Sequence, residues 1–211
     1  ILVCICITSV SWSQVHEIGV SIGGANYIGD VGKTNYILPK SLGASVFYKY
    51  NINPRIALRG GIGYYTIEGD DADATNEVRK NRGYRFKNAI KELAVGIEFN
   101  FFEYNMSSTT KTYTPYILLE VAGIMYKSPK EALANGQFSY QNKATVSIPF
   151  GIGFKSKLTQ RIAVAIESKV SYTFKDDLDY TSSEFPKLNF GGSSNDWYAF
   201  TGISFVYTFG R

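Results

Sequence analysis

The sequence predicts an all-β fold: an eight-stranded antiparallel transmembrane β-barrel of outer-membrane type, with a plugged interior. Large apolar residues alternate with small or polar ones in eight separate stretches, the pattern expected where side chains point to opposite faces of a strand. Most stretches exceed the ~5–6 residues of an ordinary soluble strand and suit the ~9–11 residues of a tilted transmembrane one. The connections alternate between long and short, as extracellular loops and periplasmic turns do in such barrels.

The first stretch covers 17–27, with Ile18, Val20 and Ile22 on one face. The second covers 42–50, with Leu42, Ala44, Val46, Tyr48 and Tyr50 on one face. The third covers 55–68, where Gly60, Gly61 and Gly63 leave the facing ambiguous. The fourth covers 88–102 and is the clearest: Leu93, Val95, Ile97, Phe99 and Phe101 alternate with Ala94, Gly96, Glu98 and Asn100. The fifth covers 116–126, with Ile117, Leu119, Val121 and Met125 outward. The sixth covers 144–155, with Val146, Ile148, Phe150, Ile152 and Phe154 outward. Pro149 falls inside it and cannot donate a ladder hydrogen bond, so a bulge or local break is expected there. The seventh covers 161–174, with Ile162, Val164, Ile166, Val170, Tyr172 and Phe174 outward, and the eighth covers 197–209, from Trp197 to Phe209. No helix is expected anywhere. Aromatic residues near the segment ends, such as Tyr27, Tyr48, Phe101, Tyr116, Phe174 and Trp197, suit interfacial girdles.

The connections 28–41, 69–87, 127–143 and 175–196 read as long loops, whereas 51–54 and 156–160 are short and 103–115 is intermediate. Both termini then face the periplasm. Residues 1–13 read as a signal peptide: an apolar run from Ile1 to Ile7, with Ser11 and Ser13 placing a cut before Gln14. Both cysteines, Cys4 and Cys6, lie in that segment. Residues 14–211 form one barrel domain in this reading.

The 211 residues carry a net charge of +4, with positive side chains scattered among loops and strands, which argues against a nucleic-acid groove. No apolar run reaches the ~20 residues of a transmembrane helix. Nucleophilic catalysis lacks its parts, because the only histidine is His16, ahead of the first strand. Neither a metal-ligand pattern nor a cofactor motif is present in 14–211, and no enzymatic activity is expected. The acidic runs Asp70-Asp71-Ala72-Asp73 and Asp176-Asp177-Leu178-Asp179 offer oxygen ligands of the kind calcium takes, but lack the full twelve-residue loop. They read as solvated loop carboxylates.

The inward positions carry charge of both signs. Glu92, Glu98, Glu120 and Glu167 stand against Arg59, Lys155 and Lys169. Buried charges must be paired and hydrogen-bonded, so these residues are expected to form a salt-bridged plug. A proton or ion path is the sharper alternative.

Several stretches together resemble a known family: Asn26-Tyr27-Ile28-Gly29-Asp30, Asn53-Pro54-Arg55, Glu92 through Tyr104, Thr114-Pro115-Tyr116, Asp176 through Tyr180, Asn195-Asp196-Trp197-Tyr198 and the ending Val206 through Arg211. The chain resembles the PorG-like outer-membrane barrels of Bacteroidetes, associated with the type IX secretion system and gliding motility. The resemblance implies a structural and docking role over a periplasmic ring of a PorK-like lipoprotein and its PorN-like associate, alongside other secretion-system components. It brings no catalytic motif. Topology places the ring contacts on the periplasmic connections: Asn51, Asn53, Pro54, Arg55, Glu103, Tyr104, Asn105, Lys111, Lys157 and Gln160. The alternatives are a small transport barrel or a ligand-binding or adhesin barrel using its long loops. Outer-membrane lipid surrounds the chain in every version.

Overall fold

The computed structural model describes residues 15–33, 39–105, 112–133, 137–181, 188 and 195–209. The segment 1–13, read from the sequence as a signal peptide, lies outside them. Eight strands run in chain order around a closed barrel: β1 (Val15–Ile28), β2 (Ser41–Asn51), β3 (Ile56–Asp70), β4 (Arg85–Asn100), β5 (Tyr113–Ala132), β6 (Phe138–Lys157), β7 (Ile162–Thr173) and β8 (Trp197–Phe209). Every neighbouring pair is antiparallel, and β1 closes on β8 from His16↔Phe209 to Ile28↔Trp197. Closure removes the unpaired edges that an open sheet would present.

The alternation resolves as expected. On β4, Leu93, Val95 and Ile97 face out, while Glu92, Ala94 and Glu98 are buried. On β3 the glycines no longer obscure the facing: Ala57, Arg59, Tyr65 and Ile67 point in, and Leu58, Ile62 and Tyr64 point out. The outward surface is a continuous apolar band, with Leu42 80% and Leu93 66% exposed. Soluble monomers rarely expose an apolar surface on this scale. Aromatic clusters mark its two edges. His16, Tyr48 and Phe209 stack at the end holding the termini, and Phe150, Tyr172, Phe174 and Trp197 meet at the other.

Two expectations need correction. The connection 127–143 is mostly strand, because β5 and β6 extend past the apolar band to leave only 133–137 between them. Lys127, Lys130, Gln141 and Asn142 are polar on the solvent side, so the apolar alternation that marks a membrane strand stops while pairing continues. Second, a helix exists. The connection between β3 and β4 contains a 3-10 turn, Asp71–Asp73, and α1 (Glu77–Arg82). Asn76 caps α1 by accepting the Val78 N–H, and Gly83 ends it in the left-handed region (φ 66°), a conformation glycine adopts at little cost. The local break expected at Pro149 is present, and it leaves the register unshifted. Pairing to β5 lapses between Leu119↔Phe150 and Ala122↔Ser147 at constant register, and pairing to β7 continues through Pro149↔Ser171. The register shift occurs at Pro129/Glu131 instead, near the loop end.

Candidate functional site

The strands aim charged side chains of both signs into the lumen, and four carboxylates and four cations among them join into one network. Nearest the turn end, Glu98 on β4 is fully buried and receives Lys155 of β6 by a 2.5 Å hydrogen bond to one oxygen. Lys49 of β2 makes a 2.6 Å ion pair with the other, outside hydrogen-bond alignment. Arg59 on β3 stands 3.8 Å from the same carboxylate. Lys155 also lies over the Tyr104 ring, 4.3 Å from its centroid. Midway, Arg59 grips Glu167 of β7 with both terminal nitrogens (2.5 and 3.1 Å), and Tyr116 donates to Glu167 at 2.7 Å. Glu120 lies 3.8 Å from the Arg59 Nε. Nearer the loop end, Lys169 of β7 reaches Glu92 at 2.7 Å and Glu120 at 3.3 Å, while Tyr198 donates to Glu92.

All seven lumen residues read from the sequence therefore meet in one place. Lys49 was missed. It sits between Tyr48 and Tyr50, one position off the apolar parity, and that offset was the available signal. Glu17, buried beside it at the register pair Glu17↔Lys49, carried the same signal. Gly96 makes room for the network: a Cβ there would strike the Leu119 carbonyl and come within 2.8 Å of the Glu120 Cγ. Contacts from β2, β3, β4, β5, β6 and β7 cross the lumen at three levels, filling a bore that eight strands make only side-chain wide.

Above the ions lies an apolar layer of Tyr65, Phe200, Ile67, Ile90, Ile124, Phe86 and Tyr27. The connection after β7 folds back into it. Leu178 is completely buried in this layer. Asn88 donates to its carbonyl (2.7 Å), and its N–H donates to Asp196 (2.9 Å). Asp177 accepts from Tyr126 (2.5 Å), Ser128 (2.9 Å) and Lys143 (2.7 Å). Tyr27 contacts both Asp179 (2.8 Å) and Asp196 (2.5 Å). This corrects the solvated-carboxylate reading for Asp177 and Asp179, which are buried pegs of a cap. It also corrects Asp71, which is buried and holds Arg82 (2.6 and 2.8 Å) and the N–H groups of Gly32 and Tyr84. Asp70 pairs with Arg85, and exposed Asp73 with Lys40. Among the described residues no three His, Cys, Asp or Glu side chains converge as a metal site.

The cap carries a pH response. Burial raises the carboxyls of Asp179 and Asp196 above the usual range, and their mutual repulsion raises Asp196 further. Burial, then Asp179, Asp30 and Asp177, push Asp176 up to about 6. A raised acid value means the closed cap holds its proton more tightly than the open loop does. The stabilisation is complete below the ordinary aspartate range and is lost as pH climbs through the raised values. The cap is therefore expected to loosen from about pH 5 to about pH 8. Protease cleavage of the 175–196 connection, normalised to an unfolded substrate at each pH, checks this. Equal or slower cleavage at the higher pH would refute it. Asp71 behaves oppositely: burial pushes it up, but Arg82 and the donated N–H groups outweigh that and hold it below the usual range.

At the turn end, two connections lock together. Asn53 accepts the Arg55 and Ile56 N–H groups (both 2.8 Å). The Pro54 carbonyl receives the Tyr104 N–H (3.0 Å) and the Asn100 side chain (3.1 Å). Arg55 reaches the Phe101 carbonyl (2.8 Å) and Glu103 (3.8 Å). Arg55, Glu103, Asn105 and Gln160 are exposed, Asn53 and Pro54 half-buried, and Asn51 donates to Glu17 (3.0 Å). Tyr104 and Lys157 do not belong to a contact surface: both are buried, because the connection tucks Tyr104 under Lys155 and the parity of β6 turns Lys157 inward. Lys111 lies outside the described residues. His16 shares a 2.5 Å hydrogen bond with Tyr48 and stacks on Phe209, within the aromatic edge of the band.

A closed barrel, ion-paired inside and apolar outside, defines an integral outer-membrane β-barrel. The chain belongs to the family described as a domain of unknown function, DUF6089, which matches residues 1–211. No curated protein matches it. Among solved structures it is similar to the attachment invasion locus protein Ail of Yersinia pestis bound to a heparin analogue, with 14% identity, 94% of this chain and 100% of that one covered, and a TM-score of 0.51. It is also similar to neisserial surface protein A (10% identity, 94% and 98% covered, TM-score 0.52). A third similarity is to a major outer membrane protein of Thermus thermophilus (14% identity, 94% and 100% covered, TM-score 0.50). At these identities the shared property is the fold.

Proposed function

We propose that this chain is a non-enzymatic structural component of the type IX secretion system, docking a periplasmic ring of PorK-like and PorN-like subunits to the outer membrane. The resemblance of its sequence to PorG-like barrels motivates the proposal. The observation that carries it is the filled lumen: ion pairs cross it at three levels and the Leu178 cap closes it, so the barrel serves as an anchor rather than a conduit. The docking face is the platform formed by 52–55 and 101–105, with Gln160 on the neighbouring turn. Its rigidity comes from the Asn53, Pro54 and Arg55 hydrogen bonds, and a preformed surface loses less freedom on binding.

The exposed platform residues are the ones to change. Arg55→Ser, Glu103→Ser, Asn105→Ser and Gln160→Ser together are expected to abolish co-purification with the ring in mild detergent, while the heat-dependent gel shift of the folded barrel persists. Undiminished ring capture would overturn the reading. The adhesin alternative draws on the long loops and on Ail, an attachment protein of the same fold. Loop variants that lose surface binding while secretion continues would favour it.

A further inference from the structure

We propose that the outward wall of β3, β4 and β5 binds a phosphorylated glycolipid of the outer leaflet. Its acyl chain lies in an apolar groove and its phosphate meets Lys91 and Lys127. Two glycines on the lipid-facing side create the groove. Gly60 stands between Tyr48 and Val95, and Gly123 between Leu93 and Val146. The depression has a volume of about 720 Å³. Nothing fills either glycine from within: a Cβ at Gly123 would meet no atom within 4 Å, and one at Gly60 only the Ala94 carbonyl at 3.9 Å. Both glycines thus leave space on the lipid side instead of relieving a clash.

The groove is topped by cations. Lys91 lies two residues from Leu93 on the same face, and Lys127 lies two beyond Met125, which pairs with Lys91. Two residues along a strand advance roughly 7 Å, so the ammonium groups stand just above the apolar lining, at the loop end. Both are exposed, and neither meets an acidic side chain among the described residues. Their neighbours differ: Arg85 pairs with Asp70, and Lys87 with Glu68. An outward charge is tolerated near the interface and costly deeper in the bilayer, which places Lys91 and Lys127 at headgroup level. The long loops put this end at the outer leaflet. Next to Lys127, its register partner Asn142 is an exposed amide on the same face. An amide beside two cations suits a sugar carrying phosphate better than a simple phospholipid headgroup.

The test uses the full chain in detergent micelles, with bound lipid counted by native mass spectrometry. The probes are diphosphorylated lipid A, the same lipid with its phosphates removed, and phosphatidylglycerol. Wild type is expected to retain the phosphorylated glycolipid in preference to the other two. Lys91→Gln with Lys127→Gln is expected to weaken that binding roughly 30-fold, the product of two cations near a charged lipid surface. Gly60→Val with Gly123→Val, for which the wall has room, is expected to weaken it while leaving the heat-dependent gel shift intact. Equal binding of the dephosphorylated lipid, or unaltered binding by the lysine variant, would overturn the cationic contact. Equal binding of phosphatidylglycerol would overturn the choice of glycolipid, and undiminished binding by the valine variant would overturn the groove.

Discussion

Replacing Glu98 by Gln is expected to destabilise the barrel by roughly 3–5 kcal/mol, the cost of breaking a buried ion pair from one side. Glu98 is fully buried and is shared by Lys155, Lys49 and, at 3.8 Å, Arg59. Its loss leaves two buried ammonium groups facing one another at the narrow turn end without the carboxylate that they share. Urea unfolding of the protein refolded into lipid vesicles, followed by the heat-dependent gel shift, reads the change. Lys49→Gln and Lys155→Gln added to the same variant should recover part of the loss, because the penalty lies in uncompensated charge more than in missing contacts. A loss below about 1 kcal/mol in the single variant would show that the network is dispensable.

Leu178→Ala is expected to free the cap and leave the barrel intact. Leu178 is the one aliphatic side chain of its connection placed in the apolar layer at the barrel mouth, among the described residues. Truncating a buried leucine costs roughly 2–5 kcal/mol. That cost falls on local opening, because the strands around the mouth keep their ladders. Hydrogen exchange at 175–181 should accelerate strongly, while the N–H groups of β4 and β7 keep their protection. Unchanged exchange would mean that the Asp177, Asp179 and Asp196 hydrogen bonds hold the cap without the leucine. Faster exchange throughout would mean that the cap stabilises the whole barrel.

The strands were legible because each carries its own evidence. Leu93 to Phe101 shows its two faces without reference to any other segment, and the same parity assigned Glu98, Glu120 and Glu167 to the interior. It would have assigned Lys49 and Glu17 as well had the second and first segments been read for their polar faces. Legibility failed where the signal is not periodic. The upper parts of β5 and β6 are polar on the outward face, so their pairing leaves no apolar trace. Helix α1 spans six residues with no buried side chain, too short and too polar for a helical stripe. Asp71, Asp177 and Asp179 look like solvated carboxylates because a loop's path back into a barrel mouth is written in no local pattern.

Side-chain alternation follows from strand stereochemistry, residue by residue, so the order of residues alone specifies an outward-apolar barrel and which charges line it. Which charges meet was decided only by the tertiary structure. Arg59 reaches Glu167 from β3 to β7, and Lys155 reaches Glu98 from β6 to β4. Those partners lie far apart in sequence: Arg59 and Glu167 meet because closure brings opposite walls of a narrow barrel together, and Lys155 and Glu98 because a fixed register aligns β4 and β6 on either side of β5. The same closure creates the mouth that Leu178 fills.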